Sequence, residues 1–403
     1  LSMNGSDLYE TPNIDRLASQ SVIFTKAYAS HPTCLPSRLA IQTGKYPARL
    51  NVVNNSQHSG LGKEDVTIAE RLKSAGYNTS YIGKWHLDRK GYRPTSKGYD
   101  TVIATNFAGM PASYFYPFKN AEESIFDVPD LEESDKDDFL TDKLADKAIE
   151  YIHQNRDEPF FMNLSFYAPH TPIQAKEEKI DKYQVKLKDG MLHNNPVYAG
   201  LIEHLDDAVG KIMETLEKSG LADNTIVLFF SDNGGLASIT SNFPLRGGKA
   251  MLYEGGIKVP LFIKWPGVTK GGSVCDEPVA GHDFFPTILS MAGIKKNNNK
   301  LNSIDGVDIT PLLINPERKL NRDELHWLYF PVPGHYFSNL DRTESSPSGA
   351  IIKDGWKLIE LMETPQGLKH HFELYNLNTD PGEQNDVSAG YPEIVKSLKL
   401  SMK

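Results

Sequence analysis

The run TIVLFFSDNGG, Thr225 to Gly235, sets five consecutive apolar residues, Ile226 to Phe230, directly before Ser-Asp-Asn-Gly-Gly. A short apolar run without alternation, closed by turn residues, is the pattern of a strand buried on both faces, and such strands belong to parallel sheets covered by helices. Other stretches repeat it. VIFTKAYA (Val22 to Ala29), NTSYIGKW (Asn78 to Trp85), PFFMNLSFYAPH (Pro159 to His170) and VPLFIKWPG (Val259 to Gly267) read as strands that run into loops. Helical patterns separate them. DVTIAERLKSAGY offers Asp65 as N-cap and Gly76 at its far end, and Tyr198, Leu201, Ile202, Leu205, Val209, Ile212 and Leu216 keep a 3.6-residue period up to Gly220. The expected fold is α/β, with a mostly parallel central sheet sandwiched by helices. Beyond residue 320 the texture changes. AIIKDGWKLIELM and KHHFELYNLNTDPGE read as antiparallel strands before a short final helix, which divides the chain into a catalytic unit, 1–320, and a smaller α+β subdomain, 321–403. DLEESDKDD (Asp130 to Asp138) and KKNNNK (Lys295 to Lys300) read as solvated loops.

Charge and composition exclude some functions. Among 403 residues, 43 Lys and Arg stand against 52 Asp and Glu, a net charge of −9 that gives no broad basic surface for nucleic acid or an anionic membrane. No apolar run approaches the roughly 20 residues of a membrane span. The two cysteines, Cys34 and Cys275, suggest no disulfide framework. The chain opens at LSMNGSDLYE without an initiator Met, so residues upstream, a targeting segment among them, are expected.

In open α/β sheets, ligands bind beyond the carboxyl ends of the strands. Those ends carry Lys84 and His86, His170, and Asp232 with Asn233. Asp232 and Asn233 are adjacent hard oxygen donors suited to Ca²⁺ or Mg²⁺, and SDNGG is equally a good turn. Lys84, Lys249 and His170 could surround a small tetrahedral anion; singly they are ordinary surface lysines and a loop histidine.

CLPSR followed by LAIQTG, Cys34 to Gly44, resembles the signature of the type I sulfatases, in which Cys-X-Pro-Ser-Arg directs oxidation of the cysteine to formylglycine. GYNTSYIGKWHL (Gly76 to Leu87) is similar to a second signature of that family. APHTP, SDNGG, RGGKAMLYEGGIKVP and ELYNLNTDPGE follow, so the resemblance covers essentially the whole chain. It implies an alkaline phosphatase-like fold and sulfate ester hydrolysis. By the same resemblance, Cys34 becomes formylglycine through a formylglycine-generating maturation enzyme, and its hydrate is nucleophile and metal ligand. Arg38 supports it; Lys84 and His86 contact sulfate and hydrate; His170 and Lys249 hold the sulfate and assist departure; Asp232 and Asn233 bind Ca²⁺, with Mg²⁺ the second choice. In one respect the chain departs from the family, which supplies two further metal-binding aspartates as a pair after a first strand expected immediately upstream of Leu1. Asp137-Asp138 lies in the acidic loop and Asp206-Asp207 within a helix, so neither replaces the pair.

The resemblance further implies a periplasmic or secreted enzyme acting on a sulfated glycan, at a terminal sugar. Arg93, Arg246 and His335 are candidates for reading that sugar, and Tyr114, Phe115, Tyr116 and Phe118 either stack on sugar faces or pack in the core. Two other functions stay open at this point. A phosphoester or phosphonate hydrolase of the alkaline phosphatase superfamily would ordinarily use Ser or Thr and often two metals, and a non-catalytic glycan-binding relative would have lost the nucleophile or its lysines.

Overall fold

A computed structural model describes residues 1–55, 60–88, 91–294, 304–331, 346–363 and 369–402; His335 and the segment Lys295 to Lys300 lie outside them. Among the described residues, nine strands build the larger part: β1 (Val22–Phe24), β2 (Ala27–Tyr28), β3 (Asn78–Gly83), β4 (Thr101–Ile103), β5 (Phe160–Ser165), β6 (Val227–Phe230), β7 (Leu261–Lys264), β8 (Ser273–Cys275) and β9 (Val279–Ala280). β4-β3-β5 is wholly parallel, whereas in β6-β7-β1-β8 the strand β7 runs antiparallel to both neighbours. The expected strand at Val22 to Ala29 is two strands. Thr25 and Lys26 interrupt it, β1 pairing with β7 and β8, and β2 with β9.

Helices cover both faces because alternate strand side chains point opposite ways. On one face α1 (Pro12–Ser19), α4 (Leu140–Gln154) and α6 (Pro196–Lys218) bury Leu17, Leu144 and Leu205 against Ile82 of β3 and Phe262 of β7, and α5 (Glu177–Gln184) packs Tyr183 on Tyr198 and Ile202 of α6. On the other, α2 (Cys34–Thr43) and α3 (Ile68–Lys73) bring Leu39 and Ala69 to Tyr81 of β3. The start of α3 corrects the sequence reading. Thr67, not Asp65, is the N-cap: its backbone N–H donates to Glu70 Oε2 at 2.7 Å and its Oγ1 accepts from Glu70 N at 3.2 Å, a complete capping box. Asp65 instead accepts from Gly62 N at 2.8 Å. Tyr114 and Phe118 are core residues; of that aromatic group, Tyr116 is 37% exposed.

Between β5 and β6 the sheet opens. β5 is paired through β3 and β6 through β7, and the free edges of both border one cavity of about 1460 Å³, with Leu1 and Met3 also lining it. Phe160, Phe161 and Leu164 of β5 and Val227 to Phe230 of β6 are as apolar as Leu261 to Ile263 of β7, yet they are half-buried where the β7 residues are fully buried. Apolar strands with open edges are templates for a further strand.

The C-terminal region forms a separate antiparallel sheet, β10 (Glu324–Tyr329), β11 (Ser348–Lys353), β12 (Trp356–Leu361) and β13 (His371–Asn376), in sequential order, followed by the helix Pro392–Ser401. Trp327, Ile359 and Tyr375 of this sheet pack on Tyr28, Met251 and Tyr253.

Thr67→Ala removes the capping box together with the Thr67 Oγ1 bond to the Lys97 carbonyl at 2.7 Å. We expect a loss of about 1 to 2 kcal/mol in urea denaturation, with Thr67→Ser retaining most of it; equal stability of the alanine variant would contradict the assigned cap.

Candidate active site

Cys34 is the first residue of α2, with Thr33 as N-cap, and is 2% exposed. A helix N-terminus already favours a thiolate. Burial alone would push the thiol pKa up, but the ammonium groups of Lys249 and Lys84, with hydrogen bonds from His170 and His86, hold it well below the ordinary range. These four residues come from three places. Lys84 and His86 follow β3, His170 follows β5, and Lys249 stands in the loop after β6. The predicted convergence of strand ends is therefore present.

Arg38 lies one turn after Cys34, on the same face of α2. Its Nε donates to Asp232 Oδ2 at 2.7 Å, and its Nη1 donates to the Lys84 carbonyl at 2.6 Å, Ser165 Oγ at 3.1 Å and Tyr81 OH at 3.3 Å. Asp232 Oδ2 also lies 3.8 Å from Lys84 Nζ. Against the upward effect of burial, Arg38 and Lys84 hold the Asp232 carboxyl below its usual pKa. Burial lowers the Lys84 pKa, while Cys34 and Asp232 oppose that shift.

His170 Nδ1 lies 3.0 Å from the Thr171 carbonyl and 3.2 Å from Thr171 Oγ1, contacts that fix the ring beside Cys34. Burial, then Lys249 and Lys84, lower its pKa, while the contact with Cys34 opposes that shift. His86 has a φ of 63° and sits against Gly109, where any Cβ would overlap the imidazole.

The end of β6 offers oxygen donors to a cation. Asn233 Oδ1 is buried without a hydrogen-bond partner, an orphaned hard oxygen beside the Asp232 carboxylate, while its Nδ2 donates to Gly234 O at 2.9 Å. The pair suits Ca²⁺ or Mg²⁺ chemically. Among the described residues, however, no group of three or more His, Cys, Asp or Glu is placed to hold a metal.

The sulfatase family model matches residues 1–294, and a model of the N-sulphoglucosamine sulphohydrolase C-terminal region matches 248–403. The chain belongs to the sulfatase family. A sulfatase of Formosa agariphila is 31% identical, over 99% of this chain and 82% of its own. N-acetylgalactosamine-6-sulfatase of Mus musculus is 31% identical over 96% and 79%. The crystal structure of Ps i-CgsB in complex with k-i-k-neocarrahexaose superposes with a TM-score of 0.82 at 30% identity, covering 100% of this chain and 87% of that one. The protein is a sulfuric ester hydrolase.

Not every predicted residue of this sulfatase joins the cluster. Arg93 is exposed ahead of the turn Pro94–Lys97, and no hydrogen bond or ion pair links it to the cluster among the described residues. Arg246 Nη1 donates to Tyr375 OH at 2.7 Å, and its guanidinium lies 3.9 Å from the Tyr253 ring centroid, so it holds the C-terminal sheet. His335 lies outside the described residues. Sequence reasoning missed Tyr81 and Ser165, which carry Arg38. Tyr81 sits three residues before Lys84 within the second signature, and its OH donates to the Lys84 carbonyl at 2.7 Å. It also missed Asn242, whose Nδ2 ties Gly235 O to Gly247 O, each at 3.0 Å.

Two outcomes follow from this geometry. Gly109→Ala should displace the His86 ring and lower turnover on the order of tenfold or more, leaving the near-UV circular dichroism intact; unchanged kcat would deny His86 its place. Burial brings His31 and His282 down to about 4. The unfolded chain then binds these protons first, so stability falls as pH drops from about 6.5 towards 4. Urea midpoints should decline across that window, and less so in His282→Gln.

Proposed function

We propose that this sulfatase removes a sulfate ester from a terminal sugar of a sulfated glycan, outside the cytoplasm, once a formylglycine-generating enzyme has matured Cys34. The supporting observation is the buried Cys34 at a helix N-terminus, faced by Lys84, Lys249, His86 and His170. Residues 1–320 would carry the chemistry and 321–403 would brace it.

Formylglycine hydrate supplies a nucleophilic hydroxyl and a second hydroxyl through which the carbonyl can reform, a route closed to a plain serine. Asp232, Asn233 and residue 34 would hold Ca²⁺, or less favourably Mg²⁺, whose charge lowers the nucleophile's pKa and polarises the sulfuryl oxygens. Ca²⁺ takes roughly six to eight oxygens, so further carboxylates are needed. The open cleft between β5 and β6, which reaches Asp232 and Asn233, supports a strand that would bring them.

The remaining steps belong to this chain's side chains. Lys84 and Lys249 offset charge that grows on the sulfuryl and bridging oxygens, a contribution greatest in the transition state. His170, fixed beside Thr171, faces the cluster, where its protonated form would donate a proton to the leaving oxygen. Arg38 keeps Asp232 ionised and fixed in place.

For the substrate, the support is the sugar chemistry in the names of similar proteins, an oligosaccharide complex and an N-acetylgalactosamine-6-sulfatase. With a net charge of −9 the chain lacks a general attraction for a long polyanion. A narrow pocket that swallows the sulfate admits a chain end more easily than an interior residue. Arg93, Arg246 and His335 would read the sugar.

The test uses matured protein expressed from its full gene, with free sulfate measured over defined sulfated oligosaccharides. Chain-end release is expected, and Cys34→Ser or unmatured protein should lose at least about a thousandfold in turnover. Full activity from unmodified Cys34 would end the formylglycine reading, release confined to internal positions the terminal-sugar reading, and activity confined to phosphate esters the substrate class.

A further inference from the structure

The motif ELYNLNTDPGE, Glu373 to Glu383, takes no part in the chemistry above, yet both of its end carboxylates reach back to the loop that carries Lys249. Glu373 Oε2 accepts from Tyr253 OH at 2.8 Å and from Tyr375 OH at 2.7 Å, and Tyr375 in turn holds Arg246. Glu383 Oε2 accepts the Glu254 backbone N–H at 2.6 Å, and its Oε1 lies 2.8 Å from Lys357 Nζ. Lys357 Nζ also donates to Glu254 Oε1 at 3.0 Å, while Tyr28 OH donates to Glu254 Oε2 at 3.3 Å. All three ionic side chains are at most 1% exposed. Glu383 reaches this position with a φ of 54°, a left-handed conformation that is unfavourable for a non-glycine residue.

From Glu254 the connection to the site runs through backbone hydrogen bonds. Gly255 N donates to Arg246 O at 2.8 Å, Gly234 N to Gly256 O at 2.9 Å, Lys249 N to Gly235 O at 2.9 Å, and Ala250 N to Pro32 O at 2.9 Å. A Cβ at Gly234, Gly255 or Gly256 would overlap neighbouring backbone, so these segments lie in direct contact and a shift at Glu254 must be transmitted. Gly234 directly follows Asn233, and Pro32 stands two residues before Cys34. A buried lysine shared by two carboxylates adds little stability over apolar packing; what it provides here is a fixed direction for Glu254.

We propose that Glu254, Lys357 and Glu383 are positioning residues, a buried ionic clamp through which the C-terminal sheet sets where Lys249 and the Asp232–Asn233 pair stand relative to Cys34. The roles of those site residues rest on the proposed function, whereas the clamp itself does not. Lys357→Met keeps the length of the side chain and removes its charge, releasing Glu254 and Glu383 from their shared partner. Glu383→Gln keeps an acceptor for the Glu254 N–H and leaves a simple Lys357–Glu254 pair.

Two readouts decide the matter. In amide hydrogen exchange, which needs no turnover, Lys357→Met should speed exchange in 231–236 and 246–256 by about tenfold or more while β3 and α6 keep wild-type rates. In matured enzyme from the full gene, kcat should fall on the order of tenfold to a hundredfold with KM within about threefold, and Glu383→Gln should stay close to wild type in both measurements. Should Lys357→Met fail to fold, the triple variant Lys357→Met, Glu254→Gln, Glu383→Gln removes the unpaired charges and takes its place. Unchanged exchange in those two segments, uniformly faster exchange everywhere, or unchanged kcat despite faster local exchange would each overturn the clamp. Inactive wild type with the expected local exchange would refute the sulfatase substrate reading and leave the clamp standing.

Discussion

The guanidinium of Arg38 is the point at which separate parts of this fold are held to one geometry. It rises from α2 one turn after Cys34 and meets the end of β3 through the Lys84 carbonyl, the end of β5 through Ser165, and the end of β6 through Asp232. β5 and β6 are not hydrogen-bonded to each other. Arg38 therefore spans the opening between two sheet fragments at the level of the active site. A planar fork with five N–H donors can do this, because its donors point in fixed and different directions. A lysine could neutralise Asp232 but could not also fix the register of three strand ends.

The same residue governs the charge of the site. Lys84 and Lys249 beside Cys34 would leave a surplus of buried positive charge, and Arg38 would add to it, were Asp232 not ionised among them. Burial resists the charges of Lys84, Arg38 and Asp232, which persist by mutual support. The result suits a tetrahedral sulfuryl group: two ammonium groups face Cys34, in a chain whose net charge is negative. Anion affinity is thus confined to the pocket. Local recognition of a sulfate and repulsion of a general polyanion are compatible for this reason.

How much of this could be read from residue order depends on the range of the interaction. The apolar runs at β3, β5, β6 and β7 and the period of α6 are local properties, and they located those elements. The cap of α3 was misplaced by two residues because Asp65 and Thr67 are both competent caps, and the choice was made by Glu70, three residues after Thr67, and by the Lys97 carbonyl. Lys84, His86, His170, Asp232 and Asn233 stand out in the sequence because they follow apolar strand-like runs, and Cys34 through the family resemblance; the structure brings Lys84, Lys249, His86 and His170 to Cys34. Arg246 looked equally available in the sequence. Its commitment to Tyr375, 129 positions later, is a long-range contact that no local pattern carries. Lys357 was invisible for the same reason, since a lysine in an alternating strand reads as solvated until another element covers it.

The exposure of β5 and β6 carries the remaining argument. A strand edge lined by Phe160, Phe161, Leu164 and Phe229 cannot stay open to water without losing the hydrophobic contribution those side chains make elsewhere in the sheet, at about 25 cal/mol per Å². An occupant must satisfy two requirements at once: apolar side chains on both faces, against α6 on one side and α2 and α3 on the other, and backbone donors and acceptors along both edges. An extended strand meets both, whereas a helix or a small ligand meets neither. The end of such a strand would emerge between Ser165 and Asp232, beside the orphaned Asn233 oxygen. The half-buried edges of β5 and β6 and the orphaned Asn233 oxygen therefore border one cavity, and a strand laid along the first would end beside the second.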